Sequence, residues 1–101
     1  MGLVDIRKIA GGALDLEGWA ASLDDGAVDR VAIEIDGVRT TCRPSIARPD
    51  VAAAFGDARL GGAGWSLRHA LDANARSARV AVSARTARGE AALLYAGDVR
   101  A

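Results

Sequence analysis

The sequence predicts an all-β fold, two layers of short strands with one short helix in a connection, and three observations carry that prediction. Apolar and polar residues alternate with period two along most of the chain, the pattern of strands that bury one face. Gly- and Asp-rich turns recur between the alternating runs. Only Arg48-Pro49-Asp50-Val51-Ala52-Ala53-Ala54-Phe55-Gly56 switches to a helical pattern, and an α/β fold would need several longer helices.

The elements follow in order. Leu3 to Ile9 alternates, with Val4 and Ile6 expected as the inward pair, and Gly11-Gly12 turns the chain. Ala13 to Ala20 puts Leu14, Leu16 and Gly18 on one face against Asp15 and Glu17, and Trp19 after Gly18 predicts a bulge or bend that re-aims the indole. Ser22 to Gly26 reads as a turn. Val31, Ile33 and Ile35 then form an apolar row, Asp36-Gly37 makes a two-residue type I′ turn, and Val38, Thr40 and Cys42 return.

Pro44 ends that strand because it has no amide hydrogen for the ladder. Pro49 fits the first helical position, Asp50 the positive N-terminus and Gly56 the left-handed C-terminal position, with Phe55 expected to plug an open end of the sandwich. Trp65, Leu67, His69 and Leu71 make the next inward row, and Val80, Val82 and Ala84 the one after. Arg88-Gly89 turns into a last strand that buries Ala91, Leu93 and Tyr95, or the alternate set with Leu94. About seven strands at this spacing fit an immunoglobulin-like β-sandwich.

With 101 residues the chain reads as one domain over 1–101, or as a domain-sized piece of a larger protein. Half its residues are apolar but only four are aromatic, so Val, Ile, Leu and Ala must build the core. The net charge of zero argues against a dedicated nucleic-acid binder. The charge is uneven: residues 1–57 carry six basic and ten acidic side chains, and residues 58–101 seven and three, a split that would suit a contact surface. The single Cys42 has no partner for an internal disulfide and reads as a small strand thiol. No signal peptide and no membrane-crossing run is recognisable, which leaves the compartment open between cytoplasm and cell envelope.

The order Leu16-Glu17-Gly18-Trp19-Ala20, Val31-Ala32-Ile33-Glu34-Ile35-Asp36-Gly37, Arg48 to Gly56 and Gly64-Trp65 resembles bacterial accessory β-sandwich domains attached to glycosyltransferases and other cell-envelope glycan proteins. The likeness covers roughly residues 14–67. It implies a non-catalytic accessory or interaction module whose partner is another domain or protein of a glycan-assembly system, or a glycan. It implies no activity for this chain, and no cofactor is expected.

Among candidate sites, Asp24, Asp25 and Asp29 lack the alternate spacing and distal Glu of a calcium loop and read as a solvated turn. His69 lies on the opposite strand face from Ser66, so Ser66, His69 and Asp72 make no triad, and with Cys42 alone it cannot hold a metal. Trp19 and Trp65 are weighed as core packing against a sugar-stacking platform. The basic set Arg68, Arg76, Arg79, Arg85 and Arg88 is the strongest candidate by charge. Arg79 and Arg85 share a strand face, with Arg68 placed on a neighbouring strand, and the set is weighed as an anion-docking surface against a solvated face that discourages edge pairing. The competing reading is therefore a carbohydrate-binding module using an exposed Trp or an Arg-rich face.

Overall fold

The computed structural model describes residues 1–22 and 26–101. Among these, β1 (Gly2–Ala10), β2 (Ala13–Ser22) and β6 (Gly64–Ala70) form a first antiparallel sheet with β2 in the middle, and the two-residue β3 (Gly26–Ala27) pairs the far end of β2. The second sheet runs β5-β4-β7-β8, from β4 (Arg30–Ile35), β5 (Val38–Cys42), β7 (Ser77–Arg85) and β8 (Ala91–Arg100). The fold is thus an all-β sandwich. Its first, second and sixth strands stand where strands A, B and E stand in an immunoglobulin-like domain, its fourth, seventh and eighth where C, F and G do, and β5 is the added strand beside C. Asp24 and Asp25, the centre of the acidic turn considered above, lie outside the described residues.

Alternation decides which side chains the two layers share. Leu14 and Leu16 of β2, Val31, Ile33 and Ile35 of β4, Val80 and Val82 of β7, and Trp65 of β6 are all essentially sealed from solvent. Burying an aliphatic side chain of this size contributes about 1.5–3 kcal/mol, so this interlayer cluster is the main source of stability. Asp36 and Gly37 both have positive φ, 48° and 85°, the type I′ geometry expected between β4 and β5.

Two strands depart from simple alternation. In β1 the register slips between Val4, which faces Gly18, and Ile6, which faces Glu17, leaving Asp5 as the bulged residue. One extra residue inverts every side chain after it. Val4 is buried as expected, but Ile6 is turned outward and Ile9 replaces it inside. Arg7 takes the inward register at this sheet edge and lays its guanidinium over the Tyr95 ring, 4.6 Å from the centroid. A second slip between Val82 and Ser83 lets Leu94 and Tyr95 both pack on the core while Leu93 faces solvent. The Tyr95 hydroxyl donates to the Asp98 carbonyl at 3.3 Å.

The connection from β5 to β6 carries α1 (Pro49–Phe55) and a 3-10 turn (Ala58–Gly62). Pro49 opens the helix, and Gly56 closes it in the left-handed conformation at φ 62° and ψ 31°. Seven residues cannot sustain a free helix. Val51 anchors it in a second small cluster with Leu60, Ala63 and Ala21, against which Trp19 and Met1 pack. Phe55 is therefore no plug: it stays 42% exposed and meets Trp19 outside the interlayer core.

Candidate functional site

Two outer surfaces collect the residues singled out in the sequence. On the first sheet, antiparallel pairing sets Gly18 opposite Trp65 and Trp19 opposite Gly64. Each indole thus faces a glycine on the neighbouring strand. A side chain at Gly18 would collide with the Leu3 carbonyl and stand 3.1 Å from the Trp65 ring, so the bare backbone there is what admits the inner indole. Period two sends Trp65 inward, where it is 1% exposed, and Trp19 outward on the same face as Glu17. β2 continues unbroken through Trp19, so the expected bulge is absent there and lies in β1 instead.

These positions separate the two tryptophans as ligand candidates. Trp65 presents no face to any ligand, which corrects its inclusion in a sugar platform. Its Nε1 has no acceptor among the described residues. Trp19 is half-buried, with its ring tilted 54° to Phe55 at 5.6 Å between centroids. Leu3 pairs with Trp19 from β1, and Ile46 bridges Gly64 on the far side, so Leu3, Trp19 and Ile46 form one apolar row across the sheet. Leu3 and Ile46 are 53% and 44% exposed.

Arg48 straps this surface. Its Cγ lies 2.9 Å from where a Gly64 Cβ would stand, and its guanidinium donates to Asp5 on β1 at 2.6 Å and to both Asp50 oxygens at 2.9 Å. Two carboxylates on one fork hold the charge on Arg48 firmly and keep the Asp50 carboxyl below its ordinary range. In the 3-10 turn, Asp57 accepts from the backbone and side chain of Arg59, which holds its carboxyl down in the same way.

The arginines divide differently from the sequence expectation. Arg68 sits on β6 of the first sheet, 3.8 Å from Asp15, whereas Arg79 and Arg85 lie on β7 of the second. The two outer faces point away from one another, so Arg68 does not join the other two. Arg79 lies at the far end of β7 from Arg85, where its amide hydrogen-bonds the Asp36 carboxylate at 2.9 Å. Arg85 instead shares a concavity of about 370 Å³ with Arg30 and Arg39, which sequence reading passed over, and with Thr41, Thr86, Ala32 and Asp29. The hairpin already fixed Arg39 on the Glu34 face, but nothing local announces that Arg30 pairs with Arg85 fifty-odd residues away.

His69 pairs with Leu14 and Ser66 with Glu17, which places them on opposite faces as the spacing requires. Cys42 is half-buried against the core, and burial pushes its thiol pKa up. Among the described residues no group of three His, Cys, Asp or Glu side chains is arranged to hold a metal, and no helix is long and apolar enough to cross a membrane. No known protein family, curated protein or solved structure matches this chain.

Proposed function

We propose that this chain is a non-catalytic interaction module that docks, through the outer surface of its first sheet, onto a partner domain of a bacterial glycan-assembly system. The observation that supports it is the row Leu3, Trp19 and Ile46 with Phe55: in a chain with four aromatic residues, two sit together outside the interlayer core beside exposed aliphatics. Apolar patches rimmed by charge favour protein contacts, and Trp is a preferred anchor of binding energy. Here the rim is the fixed Arg48, Asp5 and Asp50 network, which presents charge without the entropy of loose side chains. The glycan-assembly setting rests on the likeness of residues 14–67 to accessory domains.

The test is binding to a transferase domain encoded in the same reading frame or operon, followed by calorimetry. Phe55→Glu and Leu3→Glu, both on exposed positions, should each weaken binding about tenfold or more. Loss of neither, combined with saturable binding on a glycan array that Trp19→Ala abolishes, would instead favour the carbohydrate-binding reading.

A further inference from the structure

The second sheet carries a different surface on the opposite side of the sandwich. Arg30 and Arg85 are direct cross-strand partners on β4 and β7, and Arg39 stands on the same outer face of β5. Like charges set opposite one another destabilise a sheet. Arg30 has one neighbour of opposite sign, Asp29 at 3.2 Å, while Arg39 and Arg85 make no ion pair among the described residues. Even Glu34, which pairs with Arg39 in register, does not close on it. Ala32, Thr41, Thr86 and Gly89 of the β7–β8 turn line the same concavity, the two threonines bringing hydroxyls and Ala32 and Gly89 little or no side chain. The Thr86 hydroxyl accepts from the Glu90 amide at 3.3 Å, which leaves its own hydrogen free to donate.

We infer that this concavity is an oxyanion site for a phosphomonoester carried on a small polar molecule, with Arg39 and Arg85 as the principal donors, Arg30 beside them, and Thr41 and Thr86 completing the set. Charge selects the class. Among the lining residues, three guanidinium groups less Asp29 leave a net charge of two positive, and a phosphomonoester near neutral pH carries about −1.5 to −2 against the single charge of a carboxylate. Donor number agrees, since three guanidinium groups lining one concavity offer enough N–H donors for the three oxygens of a phosphoryl group, whereas one fork already saturates a carboxylate. The volume of about 370 Å³ lies at the small end of ligand sites. Bound anion would also relieve the repulsion between Arg30 and Arg85, so binding and stability are linked.

The test titrates the chain with inorganic phosphate and, separately, acetate at constant ionic strength, following backbone amide shifts. Phosphate should give saturable shifts centred on Arg30, Arg39, Thr41, Arg85 and Gly89, with acetate about tenfold weaker or more. Glycerol phosphate should bind at least as tightly as inorganic phosphate, because the ester oxygen can point out of the open side. Arg39→Gln and Arg85→Gln should each weaken phosphate about tenfold, and both are exposed, so at least one will report on a folded chain. In melting experiments phosphate should raise the midpoint of the native chain and not that of Arg85→Gln. Shifts that never saturate, that acetate reproduces at equal concentration, or that survive both substitutions overturn the site. None of these outcomes touches the aromatic surface, so the two proposals stand or fall separately.

Discussion

Glycine 18 shows how one missing methyl group can organise a sandwich. Its backbone approaches the Leu3 carbonyl and lies close to the Trp65 ring, so a methyl there must displace β1 and also crowds the largest buried side chain. Gly18→Ala should cost about 1–3 kcal/mol, read as a lower urea midpoint at unchanged slope; an unaffected midpoint would mean the sheet yields freely. Cys42 gives a second residue-level expectation. Burial raises its thiol pKa, so less thiolate is present at neutral pH, and the folded chain should react with a disulfide reagent more slowly than the urea-unfolded chain. Equal rates would refute the burial argument. At this scale the sequence was most legible where a residue's neighbours are close along the chain. Asp36-Gly37 is an example, whereas the partner of Phe55 was not, because Trp19 reaches it from a strand that the sequence leaves far away.

Among the elements, α1 and the following 3-10 turn depend on charge more than any strand does. Arg48 and Arg59 hold the Asp50 and Asp57 carboxyls below their ordinary range. Groups with lowered folded pKa values stabilise fully above the unfolded carboxyl value of about 4, and that stabilisation is lost as pH falls through the folded values. Below about pH 4 the amides of α1 and the 3-10 turn should therefore lose exchange protection before those of β4 and β7. Simultaneous loss throughout the chain would show that the ion pairs are not what holds the segment. The helix itself could be read from Pro49 and Gly56, since caps are local signals. The bulges in β1 and β8 could not, because a slip is decided by which partner strand a residue meets, and so Ile6 was assigned to the wrong side and the inward set of β8 stayed open between Leu93 and Leu94.

For the whole molecule, the pairing of β2 with β6 and of β4 with β7 joins residues about fifty positions apart, and loop closure has to precede the contacts that reward it. Refolding should accordingly take milliseconds to seconds, measured by stopped-flow mixing; a microsecond phase carrying the full amplitude would contradict a topology built on distant pairs. The architecture was foreseeable because alternation, turn chemistry and the lack of long helices all point one way. The opposite charge of the two halves gave no such guidance. Each sheet draws strands from both halves, so the split along the chain does not map onto the layers: the strands of the first sheet balance three basic against three acidic residues, while those of the second carry five basic and two acidic. The arginine concavity is one product of that mixing, assembled from β4, β5 and β7.

The opposed placement of the two indoles equips the chain with a pair of intrinsic optical probes. Trp65 is enclosed by aliphatic side chains and should emit at short wavelength until the layers part, while Trp19, lying under Phe55, should shift to longer wavelength as soon as the helical cover lifts. A chain carrying Trp65→Phe would then glow from the cover alone and one carrying Trp19→Phe from the interior alone. Comparing their spectra during denaturation would resolve a detachment that a single unfolding curve conceals.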